Sequence, residues 1–135
     1  MPILALDIGD RWIGVAISDP LRIIARPYTT IERPHLHHFI AEIIIKENIA
    51  LIIVGYPKTL RGTESKQTKL VVAIKEELET AFPTIAWQLC DERFSSKNAT
   101  ALSKAPKAKE HARAAAFILT TYLNSSHNKI NNTSQ

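Results

Sequence analysis

Short apolar runs and stretches of helical period alternate along the chain. Residues 3–8 are almost continuously apolar and end at Gly9, the pattern of a strand buried on both faces. Residues 12–18, Trp-Ile-Gly-Val-Ala-Ile-Ser, predict a second strand. The connection between them is short, and Gly9 can adopt positive φ, so an antiparallel hairpin is expected. Asp19-Pro20 marks the next turn, and the β-branched pattern over 22–31 predicts a third strand that completes a meander. The period then lengthens. Residues 35–48 predict a helix with Phe39, Ile43 and Ile44 on one face, followed by a buried strand over 50–55. Tyr56 to Gly62 is a loop, and a longer helix over about 64–81 repeats Leu70, Ile74 and Leu78 before Pro83 stops it. A fifth strand is expected over 84–90. Ser95 or Ser96 can cap a short helix reaching about Lys104. The last helix is expected over about 109–123, with Ala112, Ala115, Leu119 and Tyr122 or Leu123 facing inward.

The order β-β-β-α-β-α-β-α-α predicts an α/β fold. Its mixed five-stranded sheet has a three-strand antiparallel meander, then parallel strands, with helices on both faces. The first strand becomes central, and its carboxyl end opens into the crevice where α/β sheets place ligands. Residues 1–123 form one domain. Residues 124–135 are polar, lack an apolar period and are expected to be a disordered tail.

Composition narrows the partners more than the fold. The 135 residues are 45% hydrophobic and 22% charged, a globular balance. The net charge of +4 permits a nucleic-acid partner without demanding one. Cys90 is the single cysteine, which excludes an intrachain disulfide and a cysteine metal cluster; a small, buried role is expected for it. No apolar stretch approaches the ~20 residues of a membrane span, and the start lacks a basic signal region, so a soluble cytoplasmic protein is expected.

The chemistry-bearing residues gather at predicted element ends. Asp7 ends the first strand, Asp91 and Glu92 end the fifth, and Glu110 and His111 open the last helix. Acids brought together from separate elements repel one another unless cations neutralise them. Two Mg²⁺ or Mn²⁺ ions, held about 3.5–4 Å apart, could then activate water and stabilise the leaving oxygen of a phosphodiester. Each residue also has a plainer role: Asp7 as a turn former, Asp91-Glu92-Arg93 as a solvated strand exit, His111 as an ordinary first-turn residue. Asp19 before Pro20 reads as turn chemistry. His35, His37 and His38 do not converge on one helix face and read as surface residues. Arg93, Lys97, Lys104, Lys107, Lys109 and Arg113 make the segment after the fifth strand basic, and Arg11 and Arg61 stand in loops. These cations suit phosphate contacts or a solvated face equally by residue type.

Four segments in order resemble a known family. Leu-Asp-Ile-Gly-Asp-Arg-Trp-Ile-Gly-Val-Ala-Ile-Ser-Asp (6–19) resembles the first motif of the YqgF family of Holliday-junction resolvase-like and pre-16S rRNA processing nucleases. Residues 53–64, 90–96 and 112–123 resemble its second, third and closing motifs. The resemblance covers nearly everything but the tail. It implies a ribonuclease H-like fold and a Mg²⁺- or Mn²⁺-dependent nuclease. It also implies that Asp7 and an acid of Asp91-Glu92-Arg93, with Glu92 favoured, are metal ligands. The expected substrate is the 5′ end of 16S rRNA precursor, branched DNA, or both, with the ribosomal subunit a possible partner and a monomer or homodimer acting. Two departures stand out. His111 occupies the place of the family's Asp before the closing helix, and Arg61 occupies an expected acidic position near Gly62. The segment from 97 to 111 is also shorter than the family's usual one. A neutral imidazole still ligates metal, favouring Mn²⁺ over Mg²⁺, and can move protons near neutral pH.

The leading expectation is therefore a nuclease with an Asp7, Glu92 and His111 site. The second is a non-catalytic nucleic-acid-binding assembly factor whose site has decayed. A remote third is an ATP-handling domain, since Asp-x-Gly before a Gly-Val-Ala strand also opens the actin and sugar-kinase fold. That fold needs two such domains around its nucleotide.

Overall fold

The computed structural model describes residues 1–56, 66–91 and 107–133, with the side chains of the last segment described over 110–125. Five strands form one sheet in the order β3-β2-β1-β4-β5: β1 is Ile3–Ile8, β2 Trp12–Ser18, β3 Ala25–Glu32, β4 Leu51–Tyr56 and β5 Ala86–Asp91. β1 pairs antiparallel with β2 and parallel with β4, and β4 pairs parallel with β5. The central place of β1 explains its near-continuous apolar sequence. Leu4, Leu6 and Ile8 enter a core with α1 (Leu36–Lys46) and α2 (Lys66–Ala81), whereas Ile3 and Ala5 enter a second core against α3 (Lys107–Thr133). Both faces are covered, so neither set of alternate residues can be polar without cost.

The apolar pattern misplaces the start of β3. The strand begins at Ala25, not at residue 22, because the Asp19 carboxylate accepts the N–H groups of Leu21, Ile23 and Ile24 at 3.2, 2.7 and 2.7 Å. Arg22 adopts φ 61° inside this turn, and Leu21, Ile23 and Ile24 stay 76%, 61% and 67% exposed. Local side-chain hydrogen bonding outcompeted the strand that the side chains favoured. Asp19 is thus turn chemistry, as its type and its following proline predicted. Pro27 lies on edge strand β3, where a register shift opposite Val15 and Ala16 tolerates its missing donor.

The helices keep their expected places but turn their faces slightly. α1 buries Leu36, Ile40 and Ile43, with Phe39 and Ile44 on its flank, and Asn48 at φ 56° follows its end. α2 buries Thr68, Val71, Ile74 and Leu78, so Leu70 flanks the buried stripe. β5 starts two residues later than expected, at Ala86, and as an edge strand it is mostly exposed. Cys90 is accordingly half-buried rather than buried, with its Sγ 4.0 Å from the Ile118 carbonyl oxygen.

α3 buries Ala112, Ala115, Ile118, Leu119 and Leu123, close to the expected face. It continues to Thr133, where a disordered tail was expected from Asn124. Once an inner face anchors a helix, each further residue adds a hydrogen bond without a new nucleation cost, so polar residues can follow. The loop expected to Gly62 and the short helix expected from Ser95 or Ser96 lie outside the described residues.

Candidate active site

Asp7 stands next to last in β1 and, by alternation, shares the face of Ile3 and Ala5. Its antiparallel partner in β2 is Gly14. That glycine decides what can approach Asp7. A Cβ built on Gly14 would lie 1.9 Å from the His111 carbonyl oxygen, 2.1 Å from its carbon and 2.7 Å from the Ala112 nitrogen. The first turns of α3 therefore rest main chain to main chain on β2, which only a residue without a side chain allows. This close seat brings His111 Nδ1 to 3.8 Å from Asp7 Oδ2.

Gly9 clears the neighbouring space. A Cβ there would lie 2.8 Å from the Trp12 carbonyl oxygen and 3.3 Å from His111 Cε1. The expected positive φ is not used. Gly9 closes the turn by donating its N–H to the Trp12 carbonyl at 2.9 Å, and what it supplies is room for the imidazole.

The polar contact with Asp7 pushes the His111 pKa above its ordinary value of 6.5; partial burial opposes this, and the charges of Asp7 and Glu110 add to the rise. At 3.8 Å the pair is beyond hydrogen-bond reach, so the push is best understood as charge attraction rather than a formed bond. Both side chains remain partly open to solvent, which moderates that attraction.

Gln67, which no sequence pattern singled out, joins the site's frame. Its Nε2 donates to the Ile8 carbonyl at 2.7 Å and ties the first turn of α2 to the end of β1. The one signal that could have found it is its place in the first turn of a helix that packs on this sheet.

The remaining expected residues separate. Asp91 pairs with Tyr56 and shares the alternation of Trp87 and Leu89, the opposite set from Asp7 across the sheet, so the structure does not bring Asp91 and Asp7 together. Glu92, Arg61, Arg93, Lys97 and Lys104 lie outside the described residues. Lys107 and Lys109 fall in the first turn of α3 without described side chains. Arg11 is exposed, with its guanidinium carbon 5.4 Å from the centre of the Trp12 ring. The histidines of the first helical segment are surface residues, as expected: His37 faces Glu77 at 3.5 Å and His38 faces Glu42 at 2.9 Å. Among the described residues no three His, Cys, Asp or Glu side chains converge as a metal cluster, and no helix is long and apolar enough to cross a membrane.

Comparison with known proteins bears on the family and the fold. Residues 1–125 match the family described as RuvX: Holliday junction resolvase. A protein of Dictyoglomus turgidum named "Putative pre-16S rRNA nuclease" is 36% identical over 135 aligned residues, covering 93% of this chain and 95% of that protein. A protein of the same name from Chlorobaculum tepidum is 35% identical, covering 91% and 93%. The fold is similar to that of Thermus thermophilus RuvC solved with a Holliday junction substrate. That likeness has a TM-score of 0.60 at 16% identity and covers 94% of this chain and 96% of that one. The chain belongs to the RuvX, or YqgF, family of nucleases: phosphodiester hydrolases of the ribonuclease H-like fold.

Proposed function

We propose that this chain is a divalent-metal-dependent endonuclease that cuts the 5′ end of 16S rRNA precursor, branched DNA, or both. The observation that carries the reading is the Asp7–His111 pair at the carboxyl end of the central strand, within a nuclease family. A carboxylate oxygen and an imidazole nitrogen are both ligand types for Mn²⁺, and atoms 3.8 Å apart can flank one cation whose bonds run about 2.1 Å. Asp7 and His111, completed by Glu92, would hold Mg²⁺ or Mn²⁺. When bound, the metal supplies charge stabilisation and a more acidic water.

The chain's own residues do the rest. Gly14 and Gly9 fix where the imidazole stands, and Gln67 steadies the end of β1 beneath Asp7. With no metal on its ring nitrogen, a neutral His111 could instead accept or return a proton there. Arg11, Arg61, Arg93, Lys97, Lys104, Lys107 and Lys109 would contact phosphates and set the register of the strand without reading its bases. Work on precursor rRNA would place the protein in the cytoplasm beside the ribosomal subunit. Symmetric cutting of a junction would call for a homodimer, and end trimming for a monomer.

One observation favours a second reading. By the motif resemblance, His111 stands where the family has a carboxylate; the lost negative charge would weaken Mg²⁺ binding and leave a nucleic-acid-binding assembly factor without cleavage. Titrating Mg²⁺ and Mn²⁺ against a labelled rRNA precursor and a four-way junction separates the two. Cleavage of either substrate supports the nuclease, and binding without cleavage at every metal concentration supports the assembly factor.

A further inference from the structure

The chain's two tryptophans are used differently. Trp87 packs against the core on the α1 and α2 side, and its Nε1 donates to the Phe82 carbonyl at 3.3 Å. Trp12 packs into neither core, is half-buried, and its indole N–H has no hydrogen bond among the described residues. It is the first residue of β2, and its carbonyl holds the turn that follows Asp7 and Ile8. Strand alternation gives it the parity of Gly14, the face that Asp7 and His111 share. Arg11 keeps its guanidinium over the ring.

An aromatic ring outside the core, paired with an exposed cation and on the sheet face of Asp7, matches what a nucleotide needs. The ring offers a surface for a base, and the guanidinium offers charge to its phosphate. We propose that Trp12 and Arg11 form a platform for one unpaired nucleotide flanking the cleaved bond, the base stacking on the indole and its phosphate pairing with Arg11. The proposal rests on the nuclease reading above. Stacking tolerates any base but requires it to be out of a duplex, so the platform selects single-stranded character next to the cut. It does not depend on the sugar and serves RNA and DNA alike.

The test isolates Trp12 emission in the full-length chain carrying Trp87→Phe and Asp7→Asn, so that strands bind without being cut. Short single strands, as RNA and as DNA, are titrated by anisotropy and fluorescence together, intact and with an abasic site at each position in turn. The expected result is quenching on binding and affinity about tenfold weaker with Trp12→Ala. Trp12→Phe should keep most of the affinity. At one position, abasic substitution and Trp12→Ala should cost no more together than either alone. Saturated binding without quenching, or additive losses at every position, overturns the platform. The RNA and DNA arms show which strand the platform holds more tightly. Cleavage by the Asp7-bearing protein is read separately. Cleavage without quenching sinks the platform alone, quenching without cleavage sinks the nuclease reading alone, and neither signal sinks both.

Discussion

Gly14 and His111 stand main chain to main chain, with an ideal Cβ on Gly14 reaching within 1.9 Å of the His111 carbonyl oxygen. Because Gly14 is also the strand partner of Asp7, one contact sets both the seat of α3 and the distance between the two site residues. Gly14→Ala must therefore lift the start of α3 off β2. Ordinary overpacking costs about 1–3 kcal/mol, and a collision with backbone on both sides should cost at least the top of that range. Thermal unfolding should show the loss, and cleavage by the surviving folded fraction should also fall, since the imidazole moves with its helix. A variant of unchanged Tm and unchanged activity would mean that α3 does not rest where it is described.

By the motif resemblance, His111 would supply a nitrogen where the family has a carboxylate. His111→Asp should raise the rate supported by Mg²⁺ relative to that supported by Mn²⁺ by about tenfold, because a hard oxygen ligand and an added negative charge favour the harder ion. The measurement is the ratio of initial cleavage rates in the two metals, compared between the natural and substituted chains. An unchanged ratio would place His111 outside the metal's shell.

The raised His111 pKa gives stability a definite slope. The folded-state value lies above the ordinary 6.5, so the protonated imidazole beside Asp7 stabilises the metal-free protein fully below about pH 6.5. That contribution is lost as pH rises through the folded-state value. Tm measured in EDTA should thus decline on going from about pH 6 to pH 8, and less so for His111→Asn. Metal binding runs the other way, since the imidazole must shed its proton first, so metal affinity should weaken as pH falls through the same range. Equal Tm profiles for the two proteins would show that the Asp7–His111 attraction does not persist in solution.

The fold was legible wherever burial dictated the pattern. β1 and β4 are apolar on both faces because two layers of helices cover them, and the run of residues 3–8 announces this directly. It was illegible where a local hydrogen bond competed with pattern. Leu21, Ile23 and Ile24 look like strand residues, yet the Asp19 carboxylate gathers their N–H groups into a turn. Helix faces were shifted by about one residue, as with Ile40 in α1, because a stripe wider than one row leaves the centre of burial open. For the site, Asp7 and His111 could be named from their places at element ends. The reason they meet could not, because Gly14 reads as a weak strand residue until the helix above it is seen. Gln67 offered only its place in the first turn of α2, since its partner is a carbonyl 59 residues away. Asp91 and Glu92 could not be told apart by proximity to Asp7 in sequence; strand register sets Asp91 on the other face.

The central claim is that Asp7 anchors a cutting site, and the most direct measurement is cleavage by purified Asp7→Asn protein. The assay sets a 16S rRNA precursor and a four-way DNA junction side by side in Mn²⁺ and in Mg²⁺, with Tm recorded to show that the fold survives. The account predicts a natural chain that cuts at least one substrate and an Asp7→Asn chain at least about 100-fold slower, at a Tm within a few degrees of the natural one. Retained cleavage by folded Asp7→Asn would contradict it.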